Sequence, residues 1–291
     1  MPWQLAILLS IAASIVTSLV QRRYSLHSSA PASFPPAVSY LLGVAPLGII
    51  VGLMLPHQIH WSWWIICLLA LNSSIMALSN WINFAAVKRL SVVQFQTVSQ
   101  FYAVVVIVLG WLILHEGLSR FQLLGAGLLF SAALLAIRAP EKSSKIHMVV
   151  HAKSILLTVA AAATLGIALV IEKAALGHMD IGAYLIYGYS AQTLAMLLLA
   201  LKDVSRHSLR RFGRSEVTWS AGMGWANAVT GVFYVIAIVN SNNISLVTAI
   251  AAITLPLLAL AAYTILKERE NRKLLWLGLG IGFLGLIVSA A

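Results

Sequence analysis

Long apolar runs alternate with short polar connections along the whole chain, and this alternation predicts its secondary structure. A transmembrane helix needs about 20 mostly apolar residues, and ten runs come close to that length. They cover residues 3–20, 37–55, 61–87, 90–114, 121–137, 152–171, 183–201, 217–239, 244–266 and 274–291. The first and sixth runs have the least certain ends, because either helix can continue through a basic residue, Arg23 or Lys173. The pattern predicts an all-α membrane protein with ten transmembrane helices.

The composition agrees with this class. Of the 291 residues, 60% are hydrophobic and only 9% are charged, whereas about 25% of residues are charged in soluble domains. The mean hydropathy is +0.93. A soluble protein of this length could not cover its surface with so few charges. The one cysteine, Cys67, lies inside an apolar run, so no disulfide can form within the chain.

The basic residues are confined to particular connections and predict an orientation. All Lys and Arg residues except Arg120 and Lys173 lie in connections that follow odd-numbered runs or, for Lys153, at the edge of such a connection. By the positive-inside rule these connections face the cytoplasm, so both termini are expected outside, in a plasma or inner membrane. The net charge of +11 therefore has a membrane explanation, and we expect no nucleic-acid partner.

The second half of the chain repeats features of the first. Around the first and sixth runs, identical residues recur 150 positions apart: Ala12/Ala162, Ala13/Ala163, Leu19/Leu169, Val20/Val170 and Leu26/Leu176. A glutamate also precedes the fifth run (Glu116) and the tenth (Glu268). Five spans per copy is an odd number, so the second copy must enter the membrane upside down. We therefore predict two inverted five-helix repeats, at residues 1–138 and 152–291, joined by a basic linker at 139–151.

These features resemble the EamA-type branch of the drug/metabolite transporter superfamily. The resemblance rests on the apolar elements that end in Glu116 and Glu268, each followed by a Gly-rich helix, and on Pro256 in the ninth run. Arg23 and Lys173 match the basic residue that ends the first helix of each family repeat. The resemblance covers nearly the whole chain and implies a ten-helix transporter. The family usually keeps both termini in the cytoplasm, against the orientation that the charges predict.

Polar side chains within the runs are the candidates for contact with a solute, because they are costly in the bilayer and often functional. The third run carries three asparagines that a helix places on one stripe, and the fourth carries two glutamines at i, i+4. The eighth carries an Asn, a Thr and a Tyr at i, i+3, i+7 spacing. The predicted substrate-binding residues are Asn72, Asn80, Asn83, Gln96, Gln100, Gln192, Asn227, Thr230 and Tyr234. The alternative for each is an interhelical hydrogen bond or simple packing.

Acidic residues are nearly absent from the runs. None of the eight Asp and Glu residues falls in the middle of a run, and Glu172 is the one acid that the bilayer can partly embed. The small multidrug-resistance relatives exchange protons for cations through a glutamate in their first helix, where this chain has Ser14 and Thr17. That mechanism is not expected, and coupling through Glu172 stays a minor alternative. We expect Glu116 and Glu268 to be structural.

The leading hypothesis is a secondary transporter that exports or exchanges a small metabolite or drug-like solute by alternating access. The alternatives are a membrane enzyme that acts on lipid and a non-transporting subunit or receptor. The chain shows no nucleophile elbow, and the pair His147 and His151 has too few neighbouring ligands for a metal site. We expect no catalytic residue, cofactor or metal. The expected partners are the solute and the lipid bilayer, and a homodimer remains open.

Overall fold

The computed structural model is almost entirely helical. It describes residues 1–27, 30–87, 90, 92–115, 117, 119–137, 145–206, 214–241, 243–251, 253–266, 277, 280–285, 287 and 288. Within this part of the chain, seven helices are long and apolar enough to span a membrane: Trp3–Ser25, Phe34–Met54, Trp63–Val87, Gln94–Leu114, Lys153–Leu176, Ile181–Leu201 and Arg214–Ser241. Helices suit this environment because they satisfy their backbone hydrogen bonds internally, where the bilayer supplies no water.

The helices are numbered by the predicted run that each one occupies. They are α1 (Trp3–His27), α2 (Phe34–Met54), α3 (Trp63–Val87), α4 (Val92–Ser99 and Phe101–Leu114), α5 (Arg120–Ile137), α6 (Lys145–Leu176), α7 (residues 181–206), α8 (Arg214–Ser241) and α9 (Ile244–Ala251, Thr254–Ala261 and Ala262–Leu266). Within the tenth run, residues 280–285 are helical. α1 and α6 both continue past their predicted ends, through the basic residues that made those ends uncertain. α6 also begins inside the segment that was predicted as the linker.

The helices pack as interlocked pairs that join the two halves of the chain. α3 packs extensively on α6, and α1 packs on α8 to a similar extent. α7 also packs on α3, and α2 packs on α8. Each of these pairs takes one helix from residues 1–138 and one from residues 152–291. The core is therefore shared between the halves.

Two crossings between the halves depend on glycine. α2 and α8 meet at Gly43 and Gly224, where a Cβ atom on Gly224 would lie 2.8 Å from the Cα atom of Ser39 and nearer still to its carbonyl oxygen. α2 and α7 meet at Gly52 and Gly182, where a Cβ atom on Gly52 would lie 2.7 Å from the Gly182 carbonyl oxygen. Because nothing but hydrogen fits, the helices approach backbone to backbone, as small residues permit in membrane bundles.

Four of the helices depart from regular α-helical geometry. α2 contains a π-helical segment at Tyr40–Val44, α7 contains another at Tyr184–Gly188, and α9 ends in a third at Ala262–Leu266. α4 is interrupted after Ser99, and α9 is interrupted after Ala251. π-segments and interrupted membrane helices occur mostly at functional sites. A functional site is therefore expected where these irregular segments lie in the bundle.

Candidate functional site

A cavity of about 280 Å³ lies between the two halves of the bundle. α1, α2, α3 and α4 supply one part of its wall, and α6, α7, α8 and α9 supply the rest. Ligand sites commonly occupy about 300–1,000 Å³, so this cavity suits a small solute. Among the described residues, its lining is rich in hydroxyl and amide side chains, which water or a polar solute would satisfy.

Eight of the nine predicted binding residues line this cavity. They are Asn80, Asn83, Gln96, Gln100, Gln192, Asn227, Thr230 and Tyr234. They come from four different helices, so the fold gathers polar groups that the sequence keeps far apart. Several are held in place: Asn80 donates to the Tyr40 hydroxyl at 2.9 Å, and the Tyr234 and Thr248 hydroxyls are hydrogen-bonded at 2.8 Å.

Asn72, the ninth predicted residue, is absent from the cavity wall. Its side chain is 1% exposed, and its amide nitrogen donates to the carbonyl oxygen of Ala168 on α6 at 2.7 Å. Its amide oxygen accepts from the Tyr184 hydroxyl at 3.3 Å and from Gln192 Nε2 at 3.1 Å. Asn72 therefore ties α3 to α6 and α7 behind the wall, which is the interhelical alternative considered for this residue.

Tyr184 lies in the same buried network as Asn72. Its position near the start of the seventh run suggests a ring at the membrane interface, but its side chain is fully buried at 0% exposure. The π-segment that begins at this residue belongs to a helix packed against α3, and the hydroxyl joins Asn72 and Gln192 in one network. The ring is thus an internal support for the cavity wall.

A polar stripe on α1 was overlooked in the sequence. Five polar residues of this helix line the cavity: Ser10, Ser14, Thr17, Ser18 and Gln21. Their spacing of i, i+4, i+7, i+8 and i+11 places them on one helical face. The spacing of these hydroxyl and amide groups in the sequence was sufficient to predict a polar face on α1.

Glu172 lies deeper in the bundle than its position in the sequence indicated. It lies on α6 one turn before the helix ends at Leu176, is only 4% exposed and lines the cavity. Side chains on a helix lean toward its N-terminus, so the carboxyl group reaches deeper than its Cα atom. Its position close to the end of a run concealed this depth in the sequence.

Both helix interruptions lie at the cavity. Gln100 stands at the break in α4 and lines the wall, as do Ala251 and Thr254, which flank the break in α9. The Gln100 side chain is 2% exposed, and its Oε1 atom has no hydrogen-bond partner among the described residues. A buried amide oxygen without a partner is costly, so a bound water or solute donor would be favoured there.

Glu116 and Glu268, the two residues that marked the repeat, lie outside the described residues. Their expected structural role therefore stays a prediction.

Comparison with known proteins identifies a family that part of this chain resembles. Residues 2–138 match the model of the EamA-like transporter family. The matched segment, just under half of the chain, is similar to the EamA-like transporter family, within the drug/metabolite transporter superfamily. The family match and the seven long apolar helices of the described chain together indicate an integral, multi-pass membrane protein.

The fold of the whole chain is similar to that of a solved structure. One, described only as a crystal structure of a protein, superimposes with a TM-score of 0.70 over 98% of this chain and 96% of its own, at 15% sequence identity. This likeness concerns the fold alone. No curated protein matches the sequence.

Proposed function

We propose that this protein is a secondary transporter that exports or exchanges a small polar organic solute, which binds in the cavity between its two halves. The observation that carries the proposal is the polar cavity itself, enclosed by helices from both halves of a membrane protein with an EamA-like segment. Secondary transporters bind solutes at such an interface and move the halves in turn. The family consists of transporters, which favours this function over a lipid-modifying enzyme or a receptor.

We further propose that the fold is a ten-helix inverted repeat. In such a repeat α1 corresponds to α6 and α3 corresponds to α8, so the pair α3–α6 is equivalent to the pair α8–α1. Both pairs are among the most extensive in the described chain, and they are of similar extent.

The helix irregularities support the same correspondence. Two of the three π-segments in the described chain fall in α2 and α7, which are equivalent positions, and the third, Ala262–Leu266 in α9, has no π-helical counterpart in the described part of α4. The breaks follow eight-residue helices, Val92–Ser99 in α4 and Ile244–Ala251 in α9, again equivalent positions. Two unrelated five-helix units would have no reason to share both features.

The proposed orientation follows the basic residues, with odd-numbered connections in the cytoplasm of a plasma or inner membrane and both termini outside. A C-terminal reporter that is active only in the cytoplasm is expected to remain silent. Activity of that reporter in intact cells would reverse the orientation and restore the arrangement usual in the family.

Transport is tested by counterflow into proteoliposomes that contain the purified protein. The expected result is that at least one labelled solute, from a panel of neutral, anionic, zwitterionic and cationic metabolites, accumulates above the level in protein-free liposomes. Replacing Asn227 with alanine is expected to reduce the initial rate about tenfold, because one hydrogen bond to a bound polar solute is worth about 1–1.5 kcal/mol.

Asn240→Ala is the matched control for this variant. Both asparagines lie on α8, but Asn240 is exposed near the helix end and donates to the Met1 carbonyl oxygen at 3.2 Å, away from the cavity. Its rate should equal that of the wild type. Equal rates in the two variants would refute the cavity as the solute site, and absence of counterflow for every solute would refute transport.

A further inference from the structure

We infer that the cavity selects solutes that carry a positively charged nitrogen with N–H donors, and that Glu172 is the residue that recognises this group. The inference rests on the proposed function and defines its substrate class. Within the described chain, the cavity lining contains one charged side chain, and that side chain is Glu172.

The Glu172 carboxyl group occupies a setting that favours a cationic partner. It is 4% exposed, inside a helix bundle that spans the membrane. An ionised carboxylate in such a place is costly unless it is paired, and ionisable residues at this depth commonly mark a solute or ion pathway. An organic cation in the cavity would supply the missing charge.

The protein supplies no such charge from the described lining, in which Lys, Arg and His are all absent. The neighbouring Lys173 directs its ammonium group to the Ile238 carbonyl oxygen at 3.4 Å. The other titratable groups close to Glu172 are phenols: the Tyr184 hydroxyl interacts with its carboxyl group, and Tyr40 and Tyr189 lie within electrostatic range. Phenols donate hydrogen bonds and offer ring faces, but they do not neutralise a carboxylate.

A second feature of the wall favours a nitrogen that carries hydrogen atoms. Gln100 Oε1 is buried at the cavity and has no donor among the described residues. An ammonium group has three N–H donors, enough for the carboxylate and for further acceptors such as this amide oxygen. A quaternary ammonium group or a neutral ether would leave Gln100 unsatisfied.

The aromatic lining is compatible with the same ligand. Tyr40, Tyr102, Tyr189 and Tyr234 all line the cavity. Aromatic faces attract cations and also accommodate the apolar part of an amine. A small primary amine with a compact apolar body therefore offers a positive charge for Glu172, N–H donors for buried acceptors and an apolar surface for the rings, in a space of about 280 Å³.

Matched probes of equal shape and different charge test this inference. Binding to the purified full-length protein is measured by calorimetry for phenethylamine, 2-phenylethanol and 3-phenylpropionate, and for butylamine, butanol and butyrate. In at least one set the amine is expected to bind at least tenfold more tightly than the alcohol, with the acid weakest. Equal affinities of amine and alcohol, or no binding of either amine at 10 mM, would overturn the inference.

The role of Glu172 is tested by Glu172→Gln, which keeps the shape of the side chain and removes its charge. The variant is expected to lose at least tenfold in affinity for the amine and to keep its affinity for the alcohol within about twofold. Glu216→Gln is the matched control, since it removes one negative charge from α8 outside the cavity lining. If both variants bind the amine equally well, Glu172 is not the recognition residue. Should Glu172→Gln fail to fold, the charge preference of the wild type still decides the substrate class.

Flux measurements separate this inference from the proposed function. Binding of the amine without counterflow of any solute would refute transport and leave the recognition of cations intact. Counterflow of neutral or anionic solutes, with no preference for amines, would support transport and refute the substrate class. If Glu172 carries only a proton, a proton gradient should drive the alcohol as well as the amine, and that result also overturns the inference.

Discussion

Replacing Gly224 with alanine is expected to lower the free energy of unfolding by about 3 kcal/mol, because overpacking typically costs about 1–3 kcal/mol and no flexible side chain can yield here. The added methyl group would meet the backbone of Ser39, whose side chain also donates to the Ser220 carbonyl oxygen at 2.7 Å. α2 and α8 would therefore have to separate. Thermal unfolding of the purified protein in detergent measures the effect.

Gly222→Ala provides the control, two residues away on the same helix. Nothing lies within 4 Å of a Cβ atom built at Gly222. Alanine also stabilises a helix interior by about 1 kcal/mol relative to glycine. We expect this variant to unfold at or slightly above the wild-type temperature. If the two variants unfold alike, the backbone crossing at Gly224 does not limit the stability of the fold.

A tryptophan at Ser14 is expected to reduce solute binding and counterflow at least roughly tenfold, equivalent to about 1.4 kcal/mol or more of binding free energy. Ser14 lies on the polar stripe of α1 and lines the cavity. An indole ring is among the largest side chains and would occupy much of a space of about 280 Å³. Calorimetry and counterflow measure the two effects with the same solute.

The lipid-facing side of the same helix provides the control for this variant. Val16 is 51% exposed and is absent from the cavity lining. Val16→Trp adds an equally large ring, which the bilayer can accommodate, so binding and flux should remain at wild-type levels. A Ser14→Trp protein that unfolds normally and still transports at the full rate would show that the solute does not occupy this cavity.

Much of the site could be predicted from the sequence because polar residues within apolar runs are rare. Such residues must face other helices or water, so their helical spacing indicates a shared face. This reasoning placed Asn227, Thr230 and Tyr234 on one side of α8, and the structure brings all three to the cavity. The locations of α1 to α9 followed from the lengths of the apolar runs.

The sequence could not separate a residue in the wall from one behind it. Asn72 and Asn83 lie only about 20° apart around the same helix, yet Asn72 bonds to α6 and α7 while Asn83 lines the cavity. The difference arises from how closely the neighbouring helices approach at each level, which local spacing does not encode. Glu172 was undervalued for a related reason, since the true end of α6 lies beyond the apolar run.

The breaks in α4 and α9 divide the cavity wall into short rods. A rod of eight residues is about 12 Å long, well under half of the roughly 30 Å hydrocarbon core. Such a rod can tilt about its break while the longer remainder of the same helix stays packed against its neighbours on the far side of the bilayer. In the proposed transport cycle, one such joint in each half would let the wall open toward one surface while it stays sealed toward the other, without the bundle moving as a single rigid block.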